Sequence, residues 1–377
     1  MKQAIRIPAF PAVRLWPKGS PSDWLRRFAS LHESGRAALY WALRGLALPR
    51  GTTAWMPSYH CGVEVDAAVA AGFEVRFYNV GLNLAIDEDD LRRRMELHPG
   101  PVLAIHYFGF SQPGIDRLAG LCRKYGCTLI EDCAHALFSM DEAGRELGSV
   151  APLAIYSLRK TLPVIDGGAL RATGDVPAPR NLSRVAADAY RVYFKTVARR
   201  MVGDRVASLY RSVRWRNESI VRAEERHATR REDGSYRQPM SYLSRKAAAT
   251  AVPSAVVKRR RENFQALHSI LQGMPEYRPL WDALPVGTCP LFLPVWVEGR
   301  TGLMARLAAH GIETFRFGAS SSYKPDPSEF PATGALRDDI LCLPVHQHLG
   351  SGDIEYLAEM FREAVRSAHC LQTVPAR

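Results

Sequence analysis

A carboxylate and a primary amine follow two short apolar segments near the middle of the chain. Residues 128–130 lead to Asp132, and residues 153–156 lead to Lys160. Both segments have the length and apolar character of buried strands. In open α/β sheets, ligands bind beyond the carboxyl ends of the strands. We therefore expect Asp132 and Lys160 to face the same crevice.

These residue types are the protein groups that pyridoxal phosphate (PLP) requires. An amine forms a Schiff base with the cofactor aldehyde, an anion keeps the ring nitrogen protonated, and polar or cationic groups bind the phosphate. Lys160 and Asp132 match the first two requirements. Ser157 and Arg159 flank the lysine and could bind phosphate through a hydroxyl and a guanidinium. The amine must be unprotonated to react, a state that burial and the charge of Arg159 favour.

A helix predicted to run from Ser34 to Leu48 offers a second group of phosphate ligands. Its first residues are Ser34, Gly35, Arg36 and Ala37. The start of a helix presents unpaired N–H groups and the positive end of the helix dipole, which together attract phosphate. An ordinary helix cap is the competing explanation, and for Ser34 alone it is the better one.

With these motifs the chain resembles the DegT/DnrJ/StrS family of PLP-dependent sugar aminotransferases, which belongs to the fold-type I aspartate aminotransferase superfamily. The resemblance covers most of the chain, and its most specific part is the Glu-Asp-x-Ala-His-Ala motif together with the lysine. The matching motifs are at residues 34–39, 56–59, 106–109, 131–136, 160 with 166–168, and 340–344.

The resemblance implies an aminotransferase that moves an amino group from an amino acid, such as glutamate, to a nucleotide-linked keto-sugar through a Schiff base on Lys160. It implies that Asp132 contacts the pyridine nitrogen and that His135 lies near the phenolic oxygen of the cofactor. The aromatic residue that covers the ring in this family falls on a cysteine here, so Tyr59 or His60 would have to cover it. The resemblance also implies a homodimer with active sites formed between subunits.

Two other classes of protein stay open. One is a PLP-dependent lyase or dehydratase on the same fold, although sugar dehydratases of this family carry histidine in place of the lysine, so Lys160 disfavours that branch. The other is a non-catalytic protein of polysaccharide assembly. An NAD-linked Rossmann enzyme is disfavoured because no Gly-x-Gly-x-x-Gly follows an early strand.

The pattern along the chain predicts an α/β fold with a mostly parallel central sheet, helices on both faces and a smaller C-terminal α+β domain. We expect an N-terminal arm at 1–33, a large PLP-binding domain at 34–240, and a bridging helix with the small domain at 241–377. The predicted strands are 53–56, 74–78, 102–106, 128–131, 153–156, 168–172 and 291–297. The predicted helices, besides the one at Ser34, are 63–71, 87–97, 115–124, 303–310 and 353–364.

Composition favours a cytoplasmic enzyme of 377 residues. The chain is 47% hydrophobic but contains no continuous apolar segment long enough to be a signal peptide or membrane span. Seven dispersed cysteines without a Cys-x-x-Cys motif fit reduced thiols better than a disulfide framework. Their spacing predicts no metal site.

A basic helical insertion is predicted at about 184–235, and it supplies much of the net charge of +12. A solvated helix face is one explanation for this charge. The other is an anion site, either for a nucleotide diphosphate or for peripheral association with an anionic membrane. Nucleic acid is not expected as a partner, because no nucleic-acid-binding motif accompanies the charge.

Overall fold

The structure, a computed structural model, describes residues 6–12, 20–177, 235–298, 300–318 and 323–372. Its centre is a seven-stranded sheet. The strands in chain order are β1 (Ser30–His32), β2 (Thr53–Pro57), β3 (Glu74–Tyr78), β4 (Val102–Ile105), β5 (Leu129–Asp132), β6 (Leu153–Ser157) and β7 (Gly168–Ala172). They are arranged β1-β7-β6-β5-β4-β2-β3.

The sheet is parallel except at one edge. Strands β2 to β6 pair in parallel, whereas β7 is antiparallel to β6 and β1 is antiparallel to β7. Every residue of β2, β4, β5 and β6 is buried, as near-continuous apolar strands require when helices cover both faces. The predicted α/β fold with a mostly parallel sheet is confirmed. Strand β1 was not predicted, because three residues carry too little pattern to be recognised.

Helices alternate with the strands of the large sheet. They are α1 (Gly35–Gly45), α2 (Val63–Ala71), α3 (Glu88–Leu97), α4 (Ile115–Lys124) and the single turn α5 (Leu158–Thr161). The predicted positions of α1 to α4 agree within a few residues at each end, whereas α5 was not predicted. Helix α1 ends at Gly45 rather than at Leu48, and Ala47 there has a left-handed backbone with a φ of 51°.

The C-terminal part of the chain forms a three-stranded antiparallel sheet with helices. Its strands are β8 (Arg278–Pro279), β9 (Phe292–Trp296) and β10 (Ile340–Pro344), in the order β10-β9-β8. Its helices are α6 (Tyr242–Ala249), α7 (Pro253–Leu271), α8 (Arg300–Ala309), α9 (Pro331–Asp339) and α10 (Ser351–Gln372). The predicted α+β character is confirmed, but β8 and α9 were not predicted, because β8 has two residues and α9 has a single large apolar residue, Leu336.

The basic segment falls almost wholly within residues 178–234, which lie outside the described residues. The three domain boundaries given above therefore stay predictions. Within the described ranges, no helix has both the length and the apolar character needed to cross a bilayer.

Candidate active site

The carboxyl ends of neighbouring strands bring Asp132 and Lys160 to the same edge of the sheet. Asp132 is the last residue of β5 and pairs with Ile155 of β6, and Lys160 lies in α5, the turn that directly follows β6. His135, three residues beyond Asp132, contacts the lysine, with 2.8 Å between His135 Nε2 and Lys160 Nζ. The convergence expected from the two apolar segments is therefore present.

Asp132 is a buried carboxylate with few partners. The Ala134 N–H donates to its Oδ1 at 2.8 Å, and within the described part of the chain no hydrogen bond reaches Oδ2. Burial raises the pKa of the Asp132 carboxyl to about 7; the charge of Glu64 adds to this rise, while Lys160 acts against it. Within the described part of the chain Oδ2 is therefore free to accept a further hydrogen bond, and a protonated ring nitrogen would provide the donor.

His135 is enclosed by aromatic side chains and fixed by a backbone hydrogen bond. Its Nδ1 accepts the N–H of Phe108 at 3.3 Å, and the Phe108 ring stacks on the imidazole with centroids 5.6 Å apart. The Phe317 ring meets it edge-on at 5.1 Å. Burial lowers the pKa of His135 well below its usual value, and the charge of Lys160 lowers it further. His135 is therefore a neutral imidazole at physiological pH.

The start of α1 lies beside the strand that leads to the lysine. A Cβ built on Gly35 would be 3.4 Å from the Cβ of Ser157, and one built on Gly168 would overlap the carbonyl oxygen of Ser34. The Ser34 hydroxyl accepts the N–H of Ala37 at 3.2 Å, so Ser34 does act as a helix cap. A cap at Ser34 does not prevent the start of α1 from binding a phosphate, because other N–H groups of the first turn still point along the helix axis.

The remaining predicted ligands have different surroundings. Ser157 ends β6, is buried, and pairs with Gly168 of β7. Arg36 extends from the first turn of α1 over the ring of Tyr236, with 5.4 Å between its guanidinium carbon and the ring centroid. Arg159 is exposed, in contrast to the buried residues on either side of the turn. The roles of these residues in phosphate binding stay predictions.

Tyr59 and His60 are both buried, and each already has an aromatic neighbour. The Tyr59 ring meets that of Phe317 edge-on at 5.1 Å. The His60 ring stacks on Phe77 at 4.9 Å with an interplanar angle of 3°. The face of His60 is thus occupied by Phe77, and which of the two residues covers a cofactor ring stays a prediction.

A second buried carboxylate, Glu64, was missed by the sequence interpretation. It lies in the first turn of α2, and the Cys61 thiol donates to both of its oxygens at 3.1 Å. Burial raises the pKa of Cys61 well above its usual value and Glu64 adds to the rise, whereas the charge of Lys160 opposes it. The two residues therefore adjoin the site, but a Cys-x-x-Glu pair at a helix start has no distinctive sequence pattern.

The acidic residue before Asp132 has a structural role. Glu131 accepts the N–H groups of Gly148, Val150 and Ala151, and it bonds to His106 Nε2 at 2.9 Å. His106, Glu131 and Cys133 are close enough to hold a metal ion. However, both oxygens of Glu131 are already bonded, so the cluster is better explained as a buried hydrogen-bond network.

The motif Asp166-Gly167-Gly168, which follows the lysine turn α5, connects that turn to α6. The Asp166 carboxylate accepts the N–H of Ser241 at 3.2 Å and its hydroxyl at 2.9 Å, and Ser241 caps α6 through the N–H of Ser244. Gly167 has a φ of 140°, and a Cβ there would press on Met240. The motif therefore serves the packing that holds the lysine turn in place.

Comparison with known proteins agrees with this arrangement. Residues 26–179, which contain Asp132, His135 and Lys160, match the model of the DegT/DnrJ/EryC1/StrS aminotransferase family. Over this segment, about two fifths of its length, the chain is similar to that family. The matched region extends from just before β1 to just after β7, and so includes the whole central sheet.

Curated relatives of the chain include three proteins that are named for nucleotide-linked or amino sugars. The chain is 26% identical to GDP-perosamine synthase of Vibrio cholerae, over 40% of this chain and 41% of the relative. It is 30% identical to UDP-4-amino-4,6-dideoxy-N-acetyl-beta-L-altrosamine transaminase of Campylobacter jejuni, over 38% and 39%. These matches span about two fifths of either relative. The match to dTDP-4-dehydro-2,3,6-trideoxy-D-glucose 4-aminotransferase of Saccharopolyspora spinosa is 28% identical over 91% and 86%.

Solved structures confirm the fold over a larger part of the chain. The aminotransferase TlmJ of Streptoalloteichus hindustanus superposes with a TM-score of 0.64 at 20% identity, covering 90% of this chain and 86% of that one. A Streptococcus pneumoniae protein solved in its PLP form gives 0.66 at 16% identity, covering 90% and 87%. The chain therefore has the fold-type I aminotransferase fold.

Proposed function

We propose that this protein is a PLP-dependent aminotransferase that moves an amino group from an amino acid to a nucleotide-linked keto-sugar. The observation that carries the proposal is the convergence of an amine, a carboxylate and an imidazole at one edge of the sheet. Lys160 bonds to His135, and Asp132 lies three residues before that histidine at the end of the adjacent strand. The family match over residues 26–179 supports the same reaction class.

The charge state of the site fits PLP. Asp132 is buried, and its pKa is raised to about 7 mainly by burial. Asp132 would hold the ring nitrogen of PLP in its protonated form, because a carboxylate favours a positive charge beside it. The start of α1, beside Ser157, offers backbone N–H groups and a positive dipole end to a phosphate. A PLP-form structure among the similar folds points to the same cofactor.

Each residue of the site has a distinct task in the proposed reaction. When bound, PLP supplies an aldehyde for an amine and a ring that accepts electrons. Lys160 would hold the cofactor covalently and, once displaced by the amine of the donor, would move a proton at the substrate carbon. Asp132 would keep the ring nitrogen protonated. His135, at van der Waals distance from Phe108 and Phe317, would orient the lysine.

The nature of the acceptor rests on the relatives. All three curated relatives are named for nucleotide-linked sugars, and two are named as a transaminase or aminotransferase. The donor is proposed to be an amino acid such as glutamate, as the family resemblance implies, and its product would then be 2-oxoglutarate. We also propose a cytoplasmic homodimer. The six cysteines whose side chains are described are all free thiols, which supports a reducing compartment. Peripheral association with an anionic membrane remains a proposal for the basic segment.

The proposal is tested by spectroscopy and by product analysis. Wild-type protein with PLP is expected to show the visible absorbance of a lysine-bound cofactor, to lose it on addition of glutamate, and to release 2-oxoglutarate. A Lys160→Ala variant should show neither the band nor turnover. Lys246→Ala is the matched control, because Lys246 is an exposed lysine of α6. An unchanged spectrum in Lys160→Ala, or ammonia in place of 2-oxoglutarate, would contradict the proposal.

A further inference from the structure

Arg260 of α7 is a buried cation whose partners within the described part of the chain are all uncharged. Its relative exposure is 0%, and burial lowers the pKa of its guanidinium to about 10, so the group is protonated at physiological pH. Because burial of a charge without an ionic partner is costly, stability alone does not account for an arginine at this position. The guanidinium donates to Gln347 Oε1 at 2.8 Å and to the carbonyl oxygens of Pro290, Leu291 and Thr161 at 3.0, 3.2 and 3.2 Å.

One of these partners ends the turn that carries Lys160. Thr161 is the last residue of α5, and the carbonyl groups at the end of a helix have no partners within the helix. The Thr161 oxygen accepts one hydrogen bond from Arg260 Nη2 at 3.2 Å and another from Gln347 Nε2 at 2.8 Å. Two side chains from the C-terminal part of the chain therefore hold the end of the lysine turn.

The Gln347 amide has one orientation that satisfies both of its partners. Its Oε1 accepts from Arg260 Nε, and its Nε2 donates to the Thr161 carbonyl. With the amide turned over, its nitrogen would face an arginine donor and its oxygen would face a carbonyl oxygen. The two side chains and the carbonyl thus form a closed ring of three hydrogen bonds. An Arg260→Lys substitution would break this ring, because a lysine side chain has a single nitrogen atom.

A second series of contacts leads from Arg260 to the other side of the site. Its Nη1 donates to the Leu291 carbonyl, and the Leu291 N–H donates to the Phe108 carbonyl at 2.8 Å. The Phe108 N–H donates to His135 Nδ1, and His135 Nε2 lies 2.8 Å from Lys160 Nζ. Arg260 is therefore connected to the lysine twice, once through the end of the lysine turn and once through the histidine.

We propose that Arg260 is a positioning residue that, with Gln347, fixes the lysine turn and the segment supporting Phe108 relative to each other. It bonds to neither Lys160 nor His135, and acts on them through the backbone that carries or supports them. A planar guanidinium suits this task because its donors reach several acceptors in fixed directions. The contacts themselves do not depend on the proposed function, whereas their importance for catalysis rests on it.

Hydrogen exchange of the full-length, cofactor-free protein tests this proposal. The reporters are two backbone amides, that of Leu162, which donates to Leu158 O at 2.7 Å and closes α5, and that of Leu291, which donates to Phe108 O. In Arg260→Lys both amides should exchange at least about tenfold faster than in wild type, after division by the change in the amides of β3. The factor is the one expected when hydrogen bonds from a charged donor are lost.

The division by β3 separates positioning from general stability. A variant that was merely less stable would accelerate exchange in β3 as much as in the lysine turn, and this result would overturn the proposal. Acceleration at Leu162 without acceleration at Leu291 would overturn it as well. Arg259→Lys is the matched control, because Arg259 precedes Arg260 in the same helix but donates to the carbonyl of Leu349 at 3.2 Å. It should leave both reporter amides unchanged.

Gln347→Glu separates the two connections. A carboxylate still accepts from Arg260 but has no donor for the Thr161 carbonyl. The Leu162 amide should therefore exchange at least about threefold faster, while the Leu291 amide keeps its wild-type rate. Equal rates at the two amides in this variant would contradict the separate roles of the two contacts.

The catalytic consequence is measured on protein saturated with PLP. In a single turnover with glutamate, Arg260→Lys should react at least about tenfold more slowly than Arg259→Lys, because small displacements of reacting groups are costly. Equal rates in the two variants would overturn the positioning role. Failure of wild type to react with glutamate would contradict the proposed function instead, and the exchange measurements, made without cofactor or substrate, would still decide the present proposal.

Discussion

Replacement of Asp132 by asparagine should stabilise the cofactor-free protein, although it removes the carboxylate that the cofactor requires. The pKa of Asp132 rises from 3.8 to about 7 on folding, mainly because the side chain is buried. The folded protein therefore keeps a proton that the unfolded chain releases, and stability falls as the pH rises from 3.8 towards 7. Above this range the carboxylate is ionised in both states, and the whole penalty is present.

The size of the effect follows from the shift. Linkage gives a destabilisation by Asp132 of about 2 kcal/mol at pH 5 and about 4 kcal/mol at pH 8. Asparagine has nearly the same shape and no charge. Asp132→Asn should thus raise the free energy of unfolding by amounts of this order, and the gain over wild type should grow by about 2 to 3 kcal/mol between the two pH values.

Urea unfolding of the cofactor-free proteins at pH 5 and pH 8 measures this difference. Asp282→Asn is the matched control, because Asp282 is exposed and its replacement should leave the pH dependence unchanged. Addition of PLP should reverse the order, since a pyridinium partner for the carboxylate stabilises only wild type. If Asp132→Asn gains no stability at pH 8, or gains the same amount at both pH values, the picture of an uncompensated buried carboxylate is refuted.

Two further substitutions test the packing around the site. Gly168→Ala would place a methyl group on the carbonyl oxygen of Ser34 and displace the start of α1. We therefore expect the free energy of unfolding in urea to fall by at least about 3 kcal/mol, and PLP to bind more weakly in a titration. Gly174→Ala is the control, because Gly174 has open space around it. Glu131→Gln would set amide protons against backbone N–H donors and should cost about 3 kcal/mol, measured in the same way. Wild-type stability in either variant would contradict the contacts described here.

The fold was accessible from sequence because its pattern is strong and local. The strand of residues 128–131 was predicted from the apolar pair Leu129 and Ile130 ahead of the acidic residues, and β5 lies within one residue of it. Alternation of such strands with helices implied a mostly parallel sheet, as observed. β1 and α9 were missed for the opposite reason, since a three-residue strand and a helix with a single large apolar residue, Leu336, carry little periodic signal.

The sequence by itself determined that Asp132 and Lys160 follow buried strands and so lie at the same edge of the sheet. Parallel strands end at a common edge, so two polar residues that follow adjacent buried strands must be neighbours whatever surrounds them. The tertiary structure alone decided what surrounds them. Glu64 comes from α2, and Phe108 reaches His135 through an unusual backbone conformation. These contacts join segments far apart in the chain, and no local pattern of residue types specifies them.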